Sequence, residues 1–224
     1  MKLNIPAKFL TSNREPFFAI ALNYIKYNDR ILDIGSGDGC FSEKIGRDDV
    51  FQLDSNIESI TELKKRFPNC FFAKLPDLPF SDASFDIIHS SHVIEHLSPE
   101  TLYNTLKEID RCLKPGGYLI LSAPLQWSEF YDDLSHIKPY NTKIFEKYLC
   151  WGLNMCCTRP LISDRYSMVE RVFRYNSLPF EATVINIHSR VITSLINLMR
   201  WIVFMLGFRS LEKSGFTIVL RKAL

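Results

Sequence analysis

Along the first two thirds of this chain, short apolar runs alternate with polar stretches whose apolar residues recur at helical spacing. Residues 30–34, 50–53, 70–73, 85–89 and 118–123 are the runs, and each predicts a strand. Between them, residues 41–46, 57–67 and 99–113 predict helices. Phe17, Phe18, Ala21, Leu22 and Ile25 predict another over residues 14–27. Strands without polar alternation are buried on both faces. The pattern therefore predicts an α/β, doubly wound, mostly parallel sheet covered by helices on either side. Sheets of this kind bind ligands at the carboxyl ends of their strands.

After Pro124 the pattern loosens. Residues 141–149 predict a helix capped by Asn141 or Thr142, residues 166–175 and 216–221 predict strands, and residues 183–207 predict an apolar helix. The chain reads as a single domain over residues 1–224: a core of about 14–149 plus C-terminal strands, with a helical insertion at about 177–208. Arg190, Asn197 and Arg200 interrupt the insertion, so it lacks the roughly 20 clean apolar residues of a membrane span. It is expected to cover the cleft. One alternative is an interfacial helix that turns Arg190, Arg200, Arg209 and Lys213 towards anionic headgroups, a peripheral membrane contact. A homodimer interface is the other.

The bulk numbers narrow the class. A chain of 224 residues, 46% hydrophobic, can bury one good core, and a net charge of +2 argues against a dedicated nucleic-acid partner. Six scattered cysteines without a C-x-x-C spacing fit a reducing compartment. The first residues hold no uninterrupted apolar stretch, so no signal peptide is expected and the localisation is read as cytoplasmic, with a membrane-peripheral variant.

Candidate chemistry begins where the first strand runs into a glycine loop. Asp33, Gly35, Gly37 and Gly39 form a turn where backbone can touch a ligand directly. A dinucleotide fingerprint needs its third glycine five residues after the first, where Cys40 stands, so the loop is G-x-G-x-G. Asp54, 19 residues beyond Gly35, ends the second strand where a carboxylate can accept from ribose hydroxyls.

Together, Asp33 and the glycines resemble the first motif of class I S-adenosylmethionine-dependent methyltransferases. Leu78-Pro79-Phe80-Ser81-Asp82-Ala83-Ser84-Phe85-Asp86 resembles a stretch of the type 11, ubiquinone/menaquinone-biosynthesis-like members, and Leu113-Lys114-Pro115-Gly116-Gly117 resembles their turn before the fifth strand. The similarity covers roughly residues 30–140. It implies a seven-stranded Rossmann-like sheet with helical additions over the cleft, and S-adenosyl-L-methionine as cofactor. It also implies cofactor contacts at Asp33 (facing the ammonium group), Gly35, Ser36, Gly37, Gly39, Asp54, Ser55, Leu75 and Ser91. Relatives read adenine with an Asp-Ala pair where this chain has Lys74-Leu75. Lysine cannot accept from the adenine amino group, so that contact is expected at the backbone of Leu75 or at Asp77.

The implied reaction is methyl transfer to a small-molecule or glycan-type acceptor, expected at oxygen. The alternatives are a quinone or lipid-precursor methyltransferase at the membrane surface and a non-catalytic cofactor-binding regulatory subunit. For a hydroxyl acceptor a general base helps. The segment from His136 to Tyr140 resembles an H-x-R-P-Y element of glycan and cell-surface methyltransferases, so His136 ranks first as base, with His92 and Tyr140 behind. Trp127, Phe130 and Tyr131, beside Asp132 and Asp133, are candidates for an acceptor wall. His92, Glu95 and His96 spell H-x-x-E-H. The expectation is that Glu95 and His96 open a helix and hold no metal. A metal site with His136 as fourth ligand is the alternative.

Overall fold

The computed structural model describes residues 6–11, 13, 15–150, 158–179, 189–206 and 209–224. Its seven strands are β1 (Ile31–Ile34), β2 (Phe51–Asp54), β3 (Cys70–Phe72), β4 (Phe85–Ser91), β5 (Leu113–Pro124), β6 (Tyr166–Pro179) and β7 (Arg209–Lys222). The helices are α1 (Glu15–Ala21), α2 (Cys40–Ile45), α3 (Ile57–Leu63), α4 (Pro99–Cys112), α5 (Thr142–Leu149) and α6 (Arg190–Met205). The strands form one sheet in the order β3-β2-β1-β4-β5-β7-β6. The first five strands pair in parallel, and β7 runs antiparallel to both of its neighbours.

Alternation along the strands divides the apolar residues between two cores, as a period of two requires. Leu32, Ile34, Ile88, Leu119, Leu121, Ile218 and Leu220 pack under α4 and α5, against Leu102, Leu106, Ile109, Phe145 and Leu149. Their neighbours Ile31, Ile87, Ile120 and Val219 pack on the other face, against Phe17, Phe18 and Ala21 of α1 and Phe41 of α2. Side-chain caps fix three helix starts. Asn56 accepts from the N–H groups of Glu58 and Ser59, Ser98 from that of Thr101, and Asn141 from that of Lys143.

Several boundaries differ from the sequence expectation. The first helix stops at Ala21, and α3 stops at Leu63. The Lys114-Pro115-Gly116-Gly117 segment is an irregularity inside β5: Phe85 pairs with Leu113 and Ile87 with Tyr118, so the intervening residues bulge out of register. Gly117 is needed there because a Cβ would lie 2.7 Å from the carbonyl oxygen of Asp86. Strands β6 and β7 run well past the expected ranges as a two-stranded ribbon, from Tyr166 paired with Lys222 to Pro179 paired with Arg209.

The expected helix over 183–207 is present as α6, and its residues 183–188 lie outside those described, as do Cys156 and Cys157. No residue of α6 lines the cleft described below. Among the described residues, Cys40, Cys70, Cys112 and Cys150 are free thiols, and no helix is long and apolar enough to cross a membrane.

Candidate cofactor cleft and active site

The glycine loop leaves the carboxyl end of β1, and all three glycines adopt positive φ: +72° at Gly35, +55° at Gly37 and +85° at Gly39. They do different work. A Cβ at Gly35 would fall 2.1 Å from Val93 Cγ2, and one at Gly39 would fall 2.9 Å from Leu63 and Phe67, so these two let the loop pack closely. A Cβ at Gly37 would meet nothing within 4 Å. Its backbone lies open to a ligand. The loop is held against β2, with the N–H groups of Gly35 and Ser36 both donating to the Leu53 carbonyl, at 2.7 and 3.2 Å.

Asp54, the last residue of β2, fixes the other side. Its Oδ2 accepts from the Gly37 N–H at 2.9 Å and its Oδ1 from the Asn56 N–H at 2.8 Å. Each carboxylate oxygen retains a lone pair for a hydroxyl donor. Between loop and strand ends lies a cleft of about 530 Å³, lined in part by Gly35, Gly37, Asp54, Ser55, Leu75 and Ser91. These are six of the expected cofactor residues. Lys74, His92 and His96 line it as well.

Asp33, Ser36 and Gly39 do not. Asp33 alternates with Ile34 along β1 and so points to the opposite face, where its Oδ1 meets His89 Nδ1 at 2.7 Å. Burial pushes its carboxyl above the ordinary aspartate range, with His89 pulling the other way. The expectation that Asp33 faces the cofactor ammonium is corrected accordingly. Ser36 is buried, and Gly39 lies under α3 residues. Asp77, the side-chain candidate for adenine, is not in the lining either.

The three expected catalytic residues separate in the same way. Tyr140 is only 3% exposed and donates its O–H to the Leu97 carbonyl at 2.9 Å, and burial raises its pKa. It anchors the loop and is no proton acceptor for the cleft. His136 is not in the lining either. Its Nδ1–H donates to the Phe130 carbonyl at 2.6 Å, and its ring packs against Phe130 and His96, with centroids 4.7 and 5.0 Å away. Phe130 is thus fully buried support for His136, not an acceptor wall, whereas Tyr131 is exposed.

His92 lines the cleft. It follows β4 with a φ of +58°, uncommon for a residue with a Cβ. Its Nε2 lies 3.3 Å from Arg174 Nη1, and its Nδ1 lies 3.3 Å from Glu95 Oε1. A guanidinium only donates, so Nε2 accepts and Nδ1 carries the proton. Arg174 was missed by sequence reasoning. It sits on β6 in no motif, and its side chain reaches His92 across β7 and β5, which separate β6 from β4 in the sheet.

Glu95, His96 and His136 come together, with ligand-capable atoms all within 4.8 Å of one another. His96 Nδ1–H donates to the Ser135 carbonyl at 3.0 Å. Glu95 is 1% exposed, and neither carboxylate oxygen accepts a hydrogen bond. Glu95 and His96 lie in a short 3-10 helix, Ile94–His96, and do not open α4, which starts at Pro99 behind its cap Ser98. The same three residues form a donor set that suits a metal ion.

A family model for a methyltransferase domain, type 11, matches residues 32–121, the stretch from the middle of β1 into β5. An uncharacterized methyltransferase of Schizosaccharomyces pombe is 32% identical over 136 residues, 50% of this chain and 48% of the relative. A demethylmenaquinone methyltransferase of Beutenbergia cavernae is 33% identical over 109 residues, 46% of this chain and 44% of the relative. The chain spans about half the length of these curated relatives.

Among solved structures, a SAM-dependent methyltransferase from Archaeoglobus fulgidus matches with a TM-score of 0.58 and 20% identity, over 93% of this chain and 92% of its own. The YcgJ protein of Bacillus subtilis matches with a TM-score of 0.60 and 14% identity, over 93% and 98%. Both show the shared fold. The methyltransferase family implies S-adenosylmethionine as its cofactor, and the residues present fit it: an open glycine backbone, a carboxylate at the end of β2 and a cleft between them.

Proposed function

We propose that this chain transfers a methyl group from S-adenosylmethionine to an oxygen of a small-molecule or glycan-type acceptor. The observation that carries the reading is the unobstructed backbone of Gly37, facing a cleft that ends on Asp54. Asp54 and Ser55 bind the ribose hydroxyls, the backbone of Gly35 and Gly37 holds the amino-acid end, and Lys74 and Leu75 border the base. The bound cofactor supplies an electrophilic methyl on a sulfonium whose leaving group departs neutral. The protein therefore needs no oxyanion hole, and alignment with exclusion of water supplies most of the acceleration. His92, the one of the three expected catalytic residues that lines the cleft, takes up the acceptor's proton at Nε2 when the acceptor hydroxyl replaces the Arg174 guanidinium there.

The test is calorimetry with S-adenosylhomocysteine, followed by transfer of labelled methyl from the cofactor across a panel of sugar, phenol and quinol acceptors. Micromolar binding with label on one acceptor class supports the reading. Absence of binding overturns it, and binding with no transfer to any acceptor favours a regulatory subunit.

A second reading, a lipid-linked acceptor met at a membrane surface, is favoured by α6. Val191, Leu195, Leu198, Ile202 and Met205 recur at three- and four-residue steps and are all exposed. The charged residues of the helix are Arg190 and Arg200, with no acidic residue among them. An exposed apolar stripe on a cationic helix suits an anionic bilayer surface. Sedimentation with anionic vesicles tests it. A dimer by light scattering without vesicle binding assigns the stripe to a second copy instead.

A further inference from the structure

We propose that Arg174 selects acceptors that carry an acid group, a carboxylate or a phosphate, close to the hydroxyl that is methylated. This substrate class rests on the methyl-transfer reading above, with His92 as the proton acceptor. Three observations carry it: how the guanidinium is seated, what lies between it and the cleft, and the charge that the reaction leaves beside it.

The β6–β7 ribbon is shaped around this side chain. Arg174 is buried, and its register partner on β7 is Gly215. A Cβ at Gly215 would lie 2.9 Å from Arg174 Nη2 and 3.0 Å from Nε, so glycine opens the lane by which the side chain crosses β7. The Ser214 hydroxyl donates to Asn176 Oδ1 at 3.3 Å and so turns a lone pair towards Arg174 Nε, also at 3.3 Å. The Ser214 carbonyl accepts from Nη2 at 3.5 Å. Nη1 is thereby delivered to His92 Nε2, 3.3 Å away.

The guanidinium lies just behind the wall of the cleft. Ser91 and His92 line the cofactor cleft, and the same two residues line a recess of about 10 Å³ that Arg174, Ser122 and Thr217 also border. The recess has room for roughly one water. A hydroxyl that reaches His92 Nε2 arrives 3.3 Å from the present position of Nη1. An acid group a few bonds from that hydroxyl therefore comes within reach of the guanidinium.

A guanidinium stays charged, only donates, and presents N–H groups in a fork that matches two oxygens of a carboxylate or phosphate. The contacts to Ser214 and His92, at 3.3–3.5 Å, are longer than the about 2.7–2.9 Å of a charge-assisted bond. An anionic oxygen makes shorter bonds with Arg174, draws the guanidinium off Nε2 and vacates that lone pair. A neutral acceptor has to displace the guanidinium without offering it an anion.

The chemical step sharpens the preference. The acceptor O–H proton passes to Nε2, the oxygen bonds to the methyl carbon, and the electrons of the broken C–S bond stay on sulfur. The products are a methyl ether, an imidazolium and a neutral thioether. The imidazolium then lies beside the guanidinium, two cations screened poorly from one another. The Glu95 carboxylate, 3.3 Å from Nδ1, offsets one of them. The acid group of the acceptor offsets the other.

The test reads binding, so it needs no turnover. The full chain saturated with S-adenosylhomocysteine is titrated by NMR with 3-hydroxybenzoate, galacturonate and glucose 6-phosphate, and with the neutral 3-hydroxybenzamide, galactose and glucose. At least one acid is expected to bind at least tenfold more tightly than its neutral counterpart, and which acid does so separates carboxylate from phosphate. Arg174→Met is expected to bring that preference within threefold while melting cooperatively and binding S-adenosylhomocysteine within threefold of wild type. Arg174→Lys should retain part of it. Gly215→Ala leaves the charge but moves the guanidinium, so it is expected to lose the preference too, and it carries the test if Arg174→Met does not fold. Equal affinities within all three pairs overturn the proposal. So does a preference that survives both Arg174→Met and Gly215→Ala, which would assign it to Lys74 in the cleft wall. Failure of the wild type to bind S-adenosylhomocysteine removes the methyl-transfer reading itself, whereas binding without acid preference removes only this selectivity.

Discussion

Asp33 Oδ1 and His89 Nδ1 meet at 2.7 Å across adjacent strands, both side chains buried on the α1/α2 face of the sheet. The two residues are register partners on β1 and β4, so their side chains must share a face. The His89 ring stacks on Phe41 at 3.7 Å and meets the edge of Phe18. A polar pair therefore sits inside an aromatic cluster directly beneath the glycine loop.

The pair makes stability depend on pH. Burial raises the Asp33 carboxyl from its ordinary 3.8 in the folded state, with His89 opposing. The folded chain then holds that proton to higher pH than the unfolded chain. The stability so contributed is fully present below about pH 3.8 and is lost as pH rises through the folded value. Asp33→Asn keeps an acceptor for His89 Nδ1–H and removes the titration. The difference in Tm, wild type minus variant, is expected to fall as pH rises above the ordinary aspartate value of 3.8. A difference that rises over that range would show that His89 outweighs burial.

Gly35 and Gly37 predict opposite failures two residues apart. Gly35→Ala drives a Cβ to 2.1 Å from Val93 at a φ of +72°. It is expected to destabilise the fold by about 2–3 kcal/mol. Gly37→Arg meets no neighbouring atom at Cβ and bears only the backbone strain of its positive φ, about 1–2 kcal/mol. Its side chain enters the cleft, and affinity for S-adenosylhomocysteine is expected to fall at least 100-fold. Thermal melts with calorimetry separate the two, and intact affinity in Gly37→Arg would remove the loop from the cofactor site.

How much of this was legible in the sequence follows from which residues touch two layers at once. The five parallel strands stood out because burial on both faces makes them uninterrupted apolar runs. The β6–β7 ribbon was read short because its outer half, past Arg174 and Gly215, has polar residues such as Asn176, Glu212 and Lys213 in paired positions. Asp33 was placed on the wrong face although a period of two from Ile34 already sends it away from the cleft. Arg174 and the turned ring of His136 depend on contacts 82 and 6 residues away along the chain, to His92 and to the Phe130 carbonyl, which no local pattern encodes.

His92 offers the sharpest test of the chemistry. Asparagine tolerates positive φ better than most residues, so His92→Asn spares the backbone at +58° while removing the imidazole. Methyl transfer to the accepted substrate is expected to fall about 100-fold, the usual scale of a general base. Affinity for S-adenosylhomocysteine should stay within threefold. Turnover equal to wild type would take the proton-acceptor role away from His92 and leave it to a water.

Lys222 holds the far end of the sheet. It is 4% exposed, with Nζ 3.0 Å from Asp110 Oδ1 and 3.0 Å from the Leu113 carbonyl, and it also donates to the Asp110 carbonyl. The contact ties the last residue of β7 to α4 and to the start of β5, the strand that β7 must flank for Arg174 to reach His92. Lys222→Met fills the same space and takes from Asp110 its 3.0 Å ion pair, with the Arg165 guanidinium 3.9 Å away. Losing one member of a buried pair costs about 3 kcal/mol, which for a chain of this size lowers Tm by roughly 6–12 °C. Combining it with Asp110→Leu removes the stranded charge and is expected to restore most of that loss. A double variant no more stable than Lys222→Met would mean that the carbonyl contacts of Nζ, and not the ion pair, hold β7 in place.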